Sequence, residues 1–91
     1  MNDDWTREIA IHVGARIEAV RSRQGLSRES LANLIGVQYN ALADWEKGVR
    51  PPKLESLLLL TQSLALHSVE ELLGGPFGTQ VLLERRRQDG G

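Results

Sequence analysis

Apolar residues recur at helical spacing through the first part of the chain. They follow one another at steps of four, four, four and three residues, and they are Trp5, Ile9, Val13, Ile17 and Val20. This period places them on one face of an α-helix. Asp3 and Asp4 precede this stripe and Gly25 follows it, as expected for the two ends of a helix. Gly14 lies inside the stripe and weakens a helix by about 1 kcal/mol relative to alanine, so a separate short helix before Gly14 is an alternative.

Two short helices joined by a very tight turn are predicted next. The first begins after Ser27, a favourable N-cap, and ends at Gly36. The second covers Gln38–Lys47, and Gly48 and Pro51-Pro52 prevent its continuation. Their predicted inward-facing residues are Leu31, Leu34, Ile35, Leu42 and Trp45. Helices joined this closely cross steeply, which is the geometry of a helix-turn-helix.

Two further helices are predicted in the second half of the chain. The fourth spans Leu54–Leu66, and its predicted inner residues are Leu57, Leu58, Leu60, Thr61 and Leu64. The fifth, Val69–Leu73, opens with a capping box of Ser68 and Glu71. Thr79–Arg87 can add one helical segment, and no strand is expected. The fold class is therefore all-α: a compact bundle of five short helices with a central helix-turn-helix and a C-terminal helical extension.

Length and composition restrict the classes of protein that remain. The 91 residues suffice for one domain with a single core, and the absence of cysteine excludes disulfides and thiolate zinc sites. The longest apolar run, Leu57–Leu60, is too short to cross a bilayer, and the acidic N-terminus is unlike a secretory signal. We therefore expect a cytoplasmic protein. No histidine has a partner at ligand or catalytic spacing, so no metal, cofactor or enzymatic activity is expected.

The distribution of charge is more informative than its total. The net charge is −1, whereas nucleic-acid-binding domains are usually basic. Residues 14–53 nevertheless hold seven basic and four acidic side chains, a balance of +3. Residues 1–13 hold one basic and three acidic residues, and residues 54–91 hold three basic and five acidic residues, so each of these segments has a net charge of −2. The local charge of +3 permits residues 14–53 to bind phosphate, but charge alone does not predict it.

The residues of the tight turn and its flanks carry a family resemblance. Ala32 supplies the small residue where the two helices meet, and Gly36 tolerates a left-handed backbone. Val13–Leu73 resembles the lambda-repressor-like (Cro/CI, XRE-type) helix-turn-helix DNA-binding domain. The segments that carry the resemblance are Arg16–Arg21, Gly25–Ala32, Ile35–Val37 and Trp45–Pro52. This divides the chain into an N-terminal extension (1–12), the helix-turn-helix domain (13–74) and a C-terminal tail (75–91).

The resemblance implies roles for individual residues. The recognition helix would be 38–46, lying in the major groove of DNA. Its base-contacting residues would be Gln38, Tyr39, Asn40, Ala43 and Asp44. Arg28 would contact phosphate, and Lys47, Arg50 and Lys53 would hold the flanking DNA backbone. Arg21 and Glu46 would form a structural pair. Family members often carry glutamine at the position of Arg28 and a basic or amide residue at that of Asp44, so this chain departs from the family at two points of the implied interface.

The function predicted from these features is sequence-specific binding of double-stranded DNA by a transcriptional regulator, a repressor acting on a palindromic operator. One recognition helix contacts few base pairs, so we expect a homodimer, with the C-terminal tail as its interface. The alternative is an antitoxin or a protein-interaction module that binds a protein partner through the apolar residues of the tail. On that alternative, Tyr39 and Asn40 belong to an ordinary solvated face.

Overall fold

Five α-helices follow one another through residues 3–74, which are the part of the chain that the computed structural model describes, with side chains from Thr6 onward. They are α1 (Asp3–Arg23), α2 (Arg28–Ile35), α3 (Tyr39–Lys47), α4 (Leu54–Ser63) and α5 (Val69–Leu72). No strand occurs in this range, so the predicted all-α bundle of five helices is confirmed there. The side chain of Trp5, the predicted segment Thr79–Arg87 and the tail interface lie outside the described residues.

Helix α1 runs without a break through Gly14, so the alternative of a separate N-terminal helix is wrong. Gly14 lies where α1 crosses the C-terminal end of α3. A Cβ atom at this position would overlap the backbone carbonyl of Trp45 and lie 2.8 Å from that of Glu46. The absence of a side chain therefore allows the two helices to approach this closely, which compensates for the low helix propensity of glycine.

The core is formed by apolar residues from all five helices. Its buried members are Val13, Ile17, Val20, Leu31, Ala32, Ile35, Leu42, Trp45, Leu60, Leu64 and Leu72. Helix α1 packs chiefly against α3, and α2 packs against both α3 and α4. Each fully buried leucine contributes about 1.5–3 kcal/mol relative to an exposed one. This burial fixes α3, the predicted recognition helix, against the rest of the bundle.

Two leucines predicted to face inward are exposed instead. Leu34 is 58% exposed and Leu58 is 50% exposed. Successive residues of an α-helix are turned by about 100°, and Leu34 lies roughly that far from the middle of the face formed by Leu31, Ala32 and Ile35. Leu58 is displaced in the same way from the buried face of α4. Apolar character alone therefore did not predict the direction in which these two side chains point.

The end of α4 and the cap of α5 differ slightly from the prediction. Helix α4 ends at Ser63, three residues earlier than expected, and Ala65 adopts a left-handed backbone with φ 56°. The hydroxyl of Ser68 accepts a hydrogen bond from the backbone N–H of Glu71 at 3.1 Å, as in a capping box. The Glu71 carboxylate, however, accepts from the backbone N–H of His67 at 3.0 Å, one residue before the N-cap.

Side chains of α1 also hold the C-terminal end of α5. His12 Nε2 donates to the carbonyl oxygen of Leu73 at 2.9 Å, and Arg16 Nε donates to that of Leu72 at 3.1 Å. These carbonyl groups lie at a helix end, where no intrahelical donor remains for them. The last helix is thereby tied to the first. None of the helices within residues 3–74 is long and apolar enough to cross a membrane.

Candidate nucleic-acid interface

The turn between α2 and α3 is fixed by backbone hydrogen bonds. Gly36 ends α2 in the left-handed region with φ 75°, where a side chain would be strained. The N–H of Val37 donates to the carbonyl oxygen of Ala32 at 3.0 Å, closing the helix end in a Schellman-type arrangement. Helix α3 begins only three residues after Gly36, behind its N-cap Gln38. The short turn forces the two helices to cross and places the N-terminal end of α3 at the surface.

Helix α3 presents polar side chains along one exposed face. Gln38, Tyr39 and Asn40 are all exposed at its N-terminal end, and the Gln38 side chain makes no capping hydrogen bond. Asp44 is half-buried and Lys47 is exposed further along the helix. Asn40, Asp44 and Lys47 are spaced by four and three residues, so they share one face. The structure thus places these five polar residues on the surface of α3, where they can contact an extended ligand.

Ala43 does not belong to this face. This residue is only 6% exposed, because α3 buries Leu42 and Ala43 as well as Trp45 and Glu46. The inner face of α3 is therefore wider than predicted. The prediction that Ala43 points outward to contact a base is wrong for this structure.

A buried carboxylate joins three helices behind the exposed face. Glu46 of α3 has a fully buried side chain and accepts from Arg21 of α1 at 2.7 and 3.0 Å, which is a bidentate pair. Arg28 of α2 donates its Nε to the same carboxylate at 2.7 Å. Arg21 also donates to the carbonyl oxygen of Leu26 at 2.7 Å. These contacts fix the C-terminal end of α3 relative to α1 and α2.

Arg28 is held in place by more than Glu46. Its terminal nitrogen Nη2 lies 3.5 Å from a carboxylate oxygen of Glu18, and its side chain is 27% exposed. The hydrogen bond to Glu46, with a smaller effect of Tyr39, raises the pKa of the Arg28 guanidinium above its ordinary value. Arg28 thus remains charged at any physiological pH, and part of it is accessible at the N-terminal end of α2.

Three further cations surround the exposed face of α3. Lys47, Arg50 and Lys53 are all exposed, and they lie at the end of α3 and in the loop before α4. Nη2 of Arg50 lies 3.3 Å from Oδ2 of Asp44, forming a surface ion pair. Both residues line an open groove of about 420 Å³ between α3 and this loop. The remaining lining residues are Gln38, Asn40, Ala41, Trp45, Pro51, Lys53 and Ser56.

Three of these ion pairs were not anticipated from the sequence. The predicted pair of Arg21 and Glu46 is formed, but Arg28 joins it and also pairs with Glu18, and Asp44 pairs with Arg50. None of the three unexpected pairs is at helical spacing, so no periodicity in the chain could have indicated them. Over the part of the chain with described side chains, no group of three histidine or acidic side chains could hold a metal ion.

Comparisons with known proteins identify the same architecture. A model of the HTH_3 helix-turn-helix family matches residues 17–70. The crystal structure of the restriction-modification controller protein C.AhdI from Aeromonas hydrophila is similar, with a TM-score of 0.65 and 32% sequence identity. The match covers 69% of this chain and 94% of the C.AhdI chain. No curated protein sequence matches the chain significantly.

Proposed function

The chain belongs to the HTH_3 helix-turn-helix family, and from that premise we propose that it binds double-stranded DNA sequence-specifically and represses transcription. The observation that carries the proposal is the exposed polar face of α3, which begins with Gln38, Tyr39 and Asn40. An α-helix with its side chains is about 10–12 Å across and fits the major groove, which is about 12 Å wide. The similarity to a protein named as a controller supports a regulatory role.

The side chains on this face suit base contacts. The amide of Asn40 can donate to and accept from an adenine in a bidentate manner, and Gln38 offers the same groups. Tyr39, which is 49% exposed, can contact a thymine methyl group or donate to a phosphate. The buried pairing of Glu46 with Arg21 and Arg28 keeps α3 in one orientation, so little rotational freedom is lost when DNA binds.

Phosphate contacts would come from the cations around α3 despite the net charge of −1. Arg28 lies at the N-terminal end of α2, which itself attracts anions. Lys47, Arg50 and Lys53 are exposed on the other side of the groove. These four cations per protomer can fix the position of α3 on the DNA, while the bases are distinguished by the residues of α3.

We propose that the protein acts as a homodimer on a palindromic operator. Helix α3 has only nine residues, and its exposed face can contact only a few base pairs. Two copies related by a twofold axis would contact half-sites about 34 Å apart, which is one turn of DNA. A dimer bound over a promoter would repress by excluding polymerase. Size-exclusion chromatography with light scattering, with and without operator DNA, tests the stoichiometry, and a monomer in both conditions would exclude the dimer.

The test of DNA binding is selection from a random duplex pool at about 50 and 200 mM salt. The wild type is compared with Asn40→Ala and with Arg28→Ala, and Gln62→Ala, an exposed amide residue on α4, is the matched control. We expect a palindrome that Asn40→Ala changes at one position per half-site. Arg28→Ala should weaken binding to all sequences and reduce the salt dependence. A dimer with four phosphate-contacting cations per protomer should lose about 10³-fold or more in affinity between the two salt concentrations. The absence of enrichment at low salt would refute the proposal.

A second candidate function is a protein-interaction module of the antitoxin type. The observation that favours it is an apolar surface on α4, where Leu54, Leu58 and Leu59 are 68%, 50% and 42% exposed. An interface of this composition would be nearly insensitive to salt, in contrast to phosphate binding. Binding of a protein partner that persists at high salt, together with failure of the selection, would favour this function.

A further inference from the structure

An acidic residue on the proposed DNA-contacting face needs an explanation. Asp44 lies one turn after Asn40, where an isolated carboxylate would be repelled by the phosphates of DNA. In this structure the carboxylate is not isolated, because Nη2 of Arg50 lies 3.3 Å from its Oδ2. Both side chains line the groove that also contains Gln38 and Asn40. We infer that Asp44 and Arg50 form one unit that recognises a C·G base pair, an inference that rests on the DNA binding proposed above.

The hydrogen-bonding groups of the pair are complementary to those of a C·G base pair. In the major groove, cytosine presents the N4 amino group as a donor and guanine presents O6 and N7 as acceptors. A carboxylate can only accept, and a guanidinium can only donate. The cytosine N4 and guanine O6 atoms are joined by a Watson–Crick hydrogen bond of about 2.9 Å, close to the separation of Asp44 and Arg50. The pair can therefore bind both bases at once, with Asp44 on cytosine N4 and Arg50 on guanine O6 and N7, and on this inference Arg50 contacts a base in place of the phosphate contact proposed above.

The exposure of the two side chains supports this assignment. The Arg50 side chain is 70% exposed, and the contact with Asp44 uses one of its five N–H donors. The other donors remain available for guanine. Asp44 is 33% exposed and is carried by a helix, so it provides a fixed position from which the flexible arginine is oriented. Asp44 thus contributes twice, by contacting cytosine and by positioning Arg50.

An adenine or thymine at this position would be bound less well. When adenine replaces cytosine, N6 still offers a donor and thymine O4 an acceptor, but the thymine methyl group takes the place of guanine N7, so the guanidinium loses its second acceptor. When thymine replaces cytosine, thymine O4 faces the carboxylate and adenine N6 faces the guanidinium, so both side chains lose their partner. A good bidentate contact discriminates against the wrong base by about 5- to 150-fold. We expect this range for the preference at one position of each half-site.

The inference is tested on the full chain with the operator selected by the wild type. The variants are Asp44→Ala, Arg50→Lys and the double variant, and Glu70→Gln is the control for removal of an exposed carboxylate elsewhere. Arg50→Lys keeps the positive charge but lacks the planar bidentate geometry that guanine requires. Dissociation constants are measured for the selected operator and for operators in which the C·G pair is replaced by T·A or by A·T in each half-site.

The expected result is specific to one position. Both single variants should reduce the C·G preference to within about threefold of none, the double variant should lose no more, and preferences that depend on Asn40 should remain. Glu70→Gln should leave the preference unchanged. If Asp44→Ala strengthens binding to all sequences equally and the selected motif is unaltered, the pair only neutralises charge and the inference is wrong while DNA binding stands. If the wild type selects no motif, the proposed function itself fails.

Discussion

Replacement of Glu46 by alanine should destabilise the protein strongly, because it leaves a charge without its partner inside the bundle. The Glu46 carboxylate is fully buried and accepts three hydrogen bonds, two from Arg21 and one from Arg28. The Arg21 side chain is only 12% exposed. After Glu46→Ala it would retain its hydrogen bond to the carbonyl oxygen of Leu26 but no carboxylate. The cost therefore arises mainly from Arg21.

The expected magnitude follows from the burial of each partner. Loss of one member of a buried ion pair typically costs about 3–5 kcal/mol. Arg28 is more exposed and keeps Glu18 within 3.5 Å, so it should recover part of its solvation. We therefore expect a loss of about 3–4 kcal/mol, which is a large fraction of the roughly 5–15 kcal/mol that stabilises a typical domain. Replacing Arg21 and Glu46 together by methionine should cost less than Glu46→Ala, because no buried charge is left unpaired.

The assay is urea unfolding followed by helical circular dichroism, with the free energy of unfolding obtained by linear extrapolation. Glu18→Ala is the matched control, because this carboxylate is 50% exposed and lies 3.5 Å from the same Arg28. The control should lose less than about 1 kcal/mol, as exposed ion pairs do. If Glu46→Ala were no more destabilising than Glu18→Ala, the buried network would not hold α3 in place.

Three further predictions concern stability and use the same unfolding assay. Gly14→Ala should destabilise the protein by about 1–3 kcal/mol, because the added Cβ overlaps the backbone of Trp45 even though alanine is the better helix former. A gain in stability would mean that α1 and α3 do not approach each other this closely. Ser27→Ala should cost about 1 kcal/mol, since its hydroxyl accepts from the backbone N–H of Ser30 at 3.0 Å, and an unchanged midpoint would contradict that cap. Leu34→Gln should change stability by less than about 0.5 kcal/mol, whereas a loss of several kcal/mol would indicate a buried side chain.

The local features of this fold could be predicted because short-range physics decides them. The hydroxyl of Ser27 caps α2, and Gly36 and Gly48 end α2 and α3 with φ 75°. Each of these depends on the residue's own chemistry and on neighbours a few positions away. The order and type of the five helices, and the helix-turn-helix among them, followed from the sequence for that reason.

The direction in which particular side chains point depended on the tertiary structure. Leu34 and Leu58 are as apolar as the core leucines but lie on the exposed sides of their helices, while Ala43 lies on the buried side of α3. Helical periodicity gives the relative angles of residues along one helix. The width of the buried face depends on which other helices pack against it, and the pattern within one helix does not contain that information.

The electrostatic character of the candidate interface was likewise decided only by folding. Sequence analysis indicated the charged residues around α3, but the pairing of Arg28 with Glu46 and of Asp44 with Arg50 joins residues from different elements. Gly14 is a further example. Its position in the sequence indicated only a weakened helix, whereas the structure shows that the crossing of α1 and α3 requires a residue without a side chain. The sequence determined which helices form and where they end, because hydrogen bonds and caps are local. The tertiary structure determined which charges meet and which surface remains free, because those depend on how the helices pack.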